Sequence, residues 1–257
     1  MDARLVIADF IFSLEKGLDV IFSRRDLDRT IILYSETPHF AVIVYLADHT
    51  GRINLEDTRT FHIDQDQILQ DRHKLLSRLF SLLGKGQVVY ARQTVVARLE
   101  KRVALTFLEE NHLQMAIPGK YRYGLYHQGE LVSIAVFSGG RRMREQEESY
   151  RSFELVRFCH KAGYRVVGGL SKLLKSFTVD FQPDDIMTYV DRDWAQESNL
   201  ATLGFQEQGK TAPQAFWIVG MQRYYIEHEE HLAKLRQMYP VGYISHNHGS
   251  TKLVLKL

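Results

Sequence analysis

The sequence predicts a mixed α/β (α+β) protein. A mostly antiparallel sheet with flanking helices is expected over residues 88–257, preceded by a small α/β domain over residues 1–87. Three observations carry that expectation. β-rich runs and helical periodicities alternate without a regular βαβ repeat. Two runs, "YRYGLYH" and "LVSIAVF", meet at Gln128-Gly129, a two-residue hairpin turn. A third, "FELVRFCH", leads through two glycines into an amphipathic helix and then into "DIMTYV", the pattern of one parallel crossover.

The remaining elements follow in order. Residues 3–16 read as a short helix, and "TIILYS" and "FAVIVYLA" read as strands. Ile68, Leu69, Leu75, Leu76, Leu79 and Leu83 recur at helical spacing, and Gly84 is a plausible stop. "QVVYA" is a short strand, and "TVVARLEKRVALTFLEENH" is expected to be one helix capped by Thr94. "DRDWAQESNLATL" contains a short helix, "AFWIVG" is expected to close the sheet, and "EHEEHLAKLRQMY" is a last helix. "VGYISHNHGSTKLVL" reads as a terminal hairpin.

Composition narrows the function classes. The chain has 257 residues, enough for one large domain or two small ones. A net charge of +2 does not by itself call for nucleic acid. The single cysteine, Cys159, excludes an internal disulfide and suits a reducing cytoplasm. No apolar run approaches the ~20 residues that span a bilayer, and "MDARLVIADF" has no cleavage-site pattern. A cytoplasmic protein with no membrane partner is expected; oligomeric state is left open.

"RVVGGLSKLLKSF" carries the sharpest chemical signal. A helix N-terminus leaves its first amides unpaired and carries partial positive charge. Gly168 and Gly169 let a bulky anion approach that backbone, Arg165 adds a charge at the rim, and Ser171 and Lys172 add donors. A pyrophosphate suits this chemistry, and a plain strand-to-helix turn explains the glycines equally well. The stretch has neither the Gly-Lys-Ser/Thr ending of nucleotide triphosphatases nor the dinucleotide glycine spacing.

"ELVRFCHKAGYRVVGGLSKLLKSF" resembles the central motif of the GNAT superfamily of acyl-CoA N-acyltransferases, in which a strand, an Arg/Gln-x-x-Gly-x-Gly/Ala turn and a helix hold the coenzyme A pyrophosphate. Arg165 and Gly168 match, whereas Leu170 stands where Gly or Ala is usual. "SNLATLGF" resembles the second motif of that superfamily. The resemblance implies acetyl-CoA or another acyl-CoA as co-substrate, no metal, and a small-molecule or protein amine as acceptor. It places the phosphate contacts at Arg165, Val167, Gly168, Gly169, Leu170 and Ser171. It also implies that Phe153–His160 and Ile186–Val190 splay apart to admit pantetheine, with an oxyanion contact near Phe158, Cys159 and His160; Asn199 joins the cofactor set. Glu154 sits where a glutamate base is found, its pKa expected to rise by burial against Tyr150 and Phe153. Leu200 occupies the slot of the usual tyrosine acid, so Tyr189 is the substitute, with Asp191 beside it at the strand end.

A second likeness covers roughly residues 88–257. "FLEENHLQ", "GLYHQGELVSIAVFS", "YVDRDW" and "GYISHNHGSTKLVLK" resemble the C-terminal half of phage and bacterial Hef-like homing-endonuclease relatives. It implies a possible DNA partner, and for residues 1–87 a degenerate restriction-endonuclease-like remnant without its metal site. Two functions therefore stand open, an N-acyltransferase and an inactive DNA-associated recognition module, with an active nuclease third.

Other clusters read as structural first. Cys159 and His160 are strand neighbours that point to opposite faces, so a buried cysteine is expected rather than a nucleophile pair. His228 with His231 and His246 with His248 lack a thiolate partner for a metal. Glu109, Glu110, Asn111, His112 and Gln114 read as a helix end or a substrate wall. "RRMR" with Tyr121, Arg122, Tyr123 and Arg151 reads as a solvated loop or a phosphate contact.

Overall fold

The structure, a computed structural model, describes residues 2–142, 150–194 and 200–257. The chain runs α1 (Ala3–Leu18), β1 (Ser23–Leu27), β2 (Thr30–Ser35), β3 (Phe40–Tyr45), β4 (Thr60–Asp64), α2 (Gln65–Leu82), β5 (Gln87–Tyr90), β6 (Val95–Arg98), α3 (Lys101–Asn111), β7 (Tyr121–His127), β8 (Glu130–Phe137) and β9 (Arg141–Arg142). It continues through β10 (Arg151–His160), β11 (Tyr164–Val167), α4 (Gly169–Phe181), β12 (Asp185–Asp191), β13 (Gln206–Lys210), β14 (Ala215–Val219), β15 (Gln222–Tyr225), α5 (Glu229–Met238), β16 (Tyr243–His246) and β17 (Ser250–Lys256). This is an α+β fold whose strand pairs are mainly antiparallel. Two compact units form, and neither is contiguous: residues 1–76, 190–198 and 210–251 make one, and residues 77–189, 199–209 and 252–257 the other. The division thus differs from one placed after residue 87, because "AFWIVG" and "GYISH" pack with the N-terminal segment.

The first unit holds the four-stranded sheet β1-β2-β3-β4 and the three-stranded sheet β15-β14-β16. Helix α1 starts where the Asp2 carboxylate accepts the Arg4 N–H at 2.9 Å, and it buries Ile7, Phe10, Ile11, Leu14 and Leu18. Every residue of β3 is buried, as its unbroken apolar run requires.

This unit also buries an ion network. Arg52 grips Asp64 with two bonds of 2.9 Å, and Arg223 reaches both Asp66 (2.8 Å) and Asp64 (2.6 Å). Asp193 lies 3.6 Å from Arg52 and accepts from His248 Nδ1 at 2.6 Å. Burial opposes the ionised form of Asp64, but Arg52 and Arg223 outweigh it and hold its carboxyl below the usual range. Asp66 goes the other way: burial raises it against the pull of Arg223.

Beside the network, the Tyr45 hydroxyl accepts the Ile53 N–H at 3.0 Å and so donates its own proton to His62 Nδ1, 2.9 Å away. Burial, then the neighbouring His248, push His62 down to about 3. A histidine held neutral in the fold costs stability once the unfolded chain can take the proton. Unfolding free energy should therefore drop as pH falls below ~6.5, by up to about 1.4 kcal/mol per pH unit from this residue. Urea midpoints at pH 7 and 5.5 measure it. His62→Gln should flatten the slope; an unchanged slope would mean that His62 is protonated in the fold.

The second unit is built on a sheet with the path β13-β17-β12-β10-β8-β7-β6, with β9 paired to β10. On one face Phe177 of α4 stacks on Phe137 at 3.9 Å and meets Phe153 edge-on at 5.2 Å. On the other, Ala104, Phe107 and Leu108 of α3 pack with Leu99, Ile134, Val136 and Cys159. Each such fully buried large side chain contributes about 1.5–3 kcal/mol.

Five sequence expectations are corrected. Residues 95–98 form a strand paired with Tyr123–Tyr126 instead of a helical turn, because β-branched Val95 and Val96 suit a pleat. Thr94 caps no α-helix; its hydroxyl donates to the Ala91 carbonyl at 2.7 Å. Residues 164–167, expected within the turn, form β11, parallel to β5. "AFWIVG" does not close the main sheet, and the terminal stretch is no hairpin: β16 pairs with β14, while β17 enters the large sheet between β13 and β12. No described helix is long and apolar enough to cross a membrane.

Candidate active site

The second unit contains an open helix start. Strand β11 delivers the chain to Gly168, which caps α4 with φ of 75° and no side-chain cap bond. That left-handed backbone favours glycine. At Gly169 a Cβ would lie 3.1 Å from Val166 Cγ1 and 3.3 Å from Leu125 Cδ1, so glycine also lets the helix seat closely. The first intrahelical bond runs from the Lys172 N–H to the Gly168 carbonyl at 3.1 Å. The amides of Gly169, Leu170 and Ser171 precede that ladder. Arg165, Val167, Gly168 and Ser171 are exposed, and Leu170 is half-buried. Lys172 does not face outward as a phosphate donor. Its ammonium donates to the Ala91 carbonyl at 2.8 Å and to the Thr94 carbonyl, locking the neighbouring turn.

In the same unit a parallel strand pairing ends early. β10 and β12 run parallel, and their pairing stops after Ser152↔Asp185, Phe153↔Ile186 and Glu154↔Met187. The Thr188 hydroxyl makes a further tie, to the Leu155 carbonyl at 2.9 Å. At that point a bulge inserts Val156 between Leu155, opposite Phe137, and Arg157, opposite Val136. The Lys161 N–H donates to the Val132 carbonyl at 2.9 Å. Two-residue alternation then turns the Arg157 and Cys159 amides toward β8, and those of Phe158 and His160 toward the side from which β12 has parted. These two N–H groups, positioned by a strand, are suited to an oxyanion.

Cys159 lies in the apolar layer under α3, and burial pushes its thiol up to about 12. It is no nucleophile at neutral pH. His160 is held by Ser133: the Ser133 hydroxyl donates to the Cys159 carbonyl (3.1 Å), so His160 Nδ1–H donates to Ser133 Oγ (3.0 Å). Burial first, and Arg165 second, lower His160 to about 4, leaving a neutral ring with the lone pair on Nε2.

Glu154 is the last residue of β10 paired with β12 and is half-buried. It stands opposite Ser138, whose Oγ accepts the Glu154 N–H at 2.9 Å. Phe153 points to the α4 face, and the Tyr150 hydroxyl donates to Asp185 at 2.6 Å. Tyr189 is 45% exposed on the parted strand. Asp191 is placed in the other unit, where its carboxylate accepts the Asp193 N–H at 3.0 Å. Asn199 lies outside the described residues. The Leu203-Gly204-Phe205 turn follows Leu200, with Gly204 at φ of 92° and Phe205 buried.

The other motifs are engaged within the fold. Asn111 accepts the Ala162 N–H at 2.8 Å, and His112 Nδ1 accepts the Gln114 N–H at 3.0 Å. Arg122 donates to the carbonyls of Leu99 and Pro118 at 3.1 Å, and Arg151 to Phe181 at 2.8 Å. Met143 and Arg144 of "RRMR" lie outside the described residues. His228 caps α5, and among the described residues no three His, Cys, Asp or Glu side chains cluster as metal ligands. The sequence reading missed the Arg52–Asp64–Arg223 network, for which no local motif exists.

No protein-family model and no curated protein matches the chain. Solved structures do resemble part of it. Naa50 of Arabidopsis thaliana, in complex with the bisubstrate analogue CoA-Ac-MVNAL, aligns at 11% identity and a TM-score of 0.41, over 64% of this chain and 99% of its own. A GNAT family acetyltransferase from Elizabethkingia anophelis with acetyl-CoA bound aligns at 8% identity and 0.37, over 64% and 99%. Diaminobutyrate acetyltransferase EctA from Paenibacillus lautus, with L-2,4-diaminobutyric acid and coenzyme A, aligns at 14% identity and 0.35, over 63% and 94%.

Proposed function

We propose that the chain is an acyl-CoA-dependent N-acyltransferase of the GNAT type, cytoplasmic, transferring an acetyl or other acyl group to an amine. One observation carries this reading: an exposed, uncapped glycine turn and a parallel strand pairing that ends early occur in the same unit, on consecutive elements of the chain. The turn suits a pyrophosphate, and the end of the pairing suits a narrow thiol-bearing arm.

In this reading the amides of Gly168–Ser171 with Arg165 hold the pyrophosphate. The Phe158 and His160 amides receive the negative charge that develops on the thioester oxygen. The amine nitrogen bonds to the acyl carbon and the C–S bond breaks. Glu154 takes the proton that the ammonium must lose; Tyr189 gives its phenolic proton to the departing thiolate, and the second nitrogen proton restores Tyr189.

Leu200 favours the alternative of a binding module without turnover, since it supplies no hydroxyl. Thiol release from acetyl-CoA, followed across a panel of amines, separates the two. The acyltransferase reading expects amine-dependent release. Salt-sensitive DNA binding without release would support the module.

A further inference from the structure

Among the described residues, Arg157 is a cation held by carbonyl oxygens and by no ion pair. Its Nε and one Nη donate to the Met115 carbonyl at 3.3 Å, and the other Nη donates to the Val156 carbonyl at 2.8 Å. All three bonds go to neutral oxygens. Among the described residues no carboxylate forms an ion pair with it, in contrast to Arg52 and Arg223, each fixed on aspartate in the other unit. The side chain is nevertheless half-buried, and burial lowers its pKa, while the charge of Glu154 raises it. A half-buried guanidinium with no ion pair among the described residues has N–H groups and charge left to hold an anion.

The register gives Arg157 its place. Glu154 lies opposite Ser138, and Arg157, beyond the bulge, opposite Val136. Ser138 and Val136 are two apart, so their partners share one face of the sheet, the face covered by α3. The inserted Val156 produces this pairing: without it, residues 154 and 157 would point to opposite faces. A carboxylate and a guanidinium are thereby set on one face of the strand that also presents the two outward amides. Met115, whose carbonyl anchors Arg157, is 79% exposed in the loop after α3, so the guanidinium borders solvent.

We propose that Arg157 binds an acidic group of the acceptor, and that the amines acylated at this site carry a carboxylate near the reacting nitrogen. The proposal rests on the acyltransferase reading and deepens it. Glu154 receives the ammonium end and its proton, and Arg157 holds the carboxylate through the N–H groups its carbonyl bonds leave over. Arg157 acts in specificity and takes no part in the transfer of the acyl group or the proton.

The test uses matched probes: glycine, β-alanine and 4-aminobutyrate, each as free acid and as primary amide, with acetyl-CoA and the full chain. Expected is a preference for the acid in kcat/KM of about tenfold or more for at least one pair, the scale of a charge-assisted hydrogen bond. Arg157→Met should bring the acid-to-amide ratio near one, and Arg157→Lys should keep part of it. Acetyl-CoA stabilisation of both variants serves as the control for folding. Equal use of acid and amide by the parent protein, or a ratio unchanged in Arg157→Met, would overturn the assignment and leave the acyltransferase reading intact. Absence of thiol release with every probe would also overturn it. That result would remove the acyltransferase reading as well only if acetyl-CoA failed to stabilise the protein.

Discussion

Glu154→Gln is expected to lower kcat/KM for acetyl transfer by roughly 10²–10⁴-fold, the usual weight of a positioned general base. The amide is isosteric and keeps the backbone bond from the Glu154 N–H to Ser138 Oγ, so β10 should be undisturbed. It cannot accept the ammonium proton. Binding of acetyl-CoA should survive, because the glycine turn lies beyond the far end of β10. A steady-state thiol-release assay with the accepted amine measures the loss, and thermal stabilisation by acetyl-CoA measures the binding. Equal turnover in variant and parent would remove Glu154 from the role. Loss of both turnover and stabilisation would show that the substitution acts on the fold.

Asp64→Ala is expected to have the largest effect on stability, about 3–5 kcal/mol, the scale for removing one partner of a buried pair. The carboxylate is 1% exposed and receives both arms of Arg52 and one of Arg223. Arg223 keeps Asp66, whereas Arg52 is left with Asp193 at 3.6 Å. For a chain of this size each kcal/mol moves the melting temperature by about 2–4 °C, so a fall of roughly 6–20 °C should result. Asp26→Ala supplies the contrast. Asp26 pairs with Arg24 on exposed β1, and such pairs contribute about 0–1 kcal/mol. Similar melting temperatures for the two variants would contradict a stabilising role for the network.

These two sites were unequally legible in the sequence. The glycine turn was readable because its signal is local: two glycines, a base and an amphipathic spacing within thirteen residues. The strands "TIILYS" and "FAVIVYLA" were readable for the same reason. Partners were not. β14 and β16 look like continuations of the large sheet because a strand pattern states that a strand exists and says nothing of where it pairs. Val95 and Val96 were drawn into a helix by the strong spacing of Ala104, Phe107 and Leu108 that follows. The Val156 bulge has no glycine to announce it, yet it sets the faces of Glu154 and Arg157. Arg223 and Asp64 are separated by 159 positions, so neither reads as more than a surface charge until the chain is folded.

The central claim is that the backbone after Arg165 cradles a pyrophosphate and the parted strands admit its thiol arm. Its most direct measurement is the melting temperature with and without acetyl-CoA, for the parent chain and for Gly168→Asp. Aspartate tolerates a left-handed backbone better than most residues, and the Cβ there would meet Ala91 Cβ at an ordinary 3.5 Å, so the variant should fold. Its carboxylate would stand where the phosphates go. The account predicts stabilisation of the parent by about 2.7 kcal/mol when acetyl-CoA is at a hundred times its Kd, and none in Gly168→Asp. A parent melting temperature that stays fixed at millimolar acetyl-CoA, or an equal rise in the variant, would contradict it.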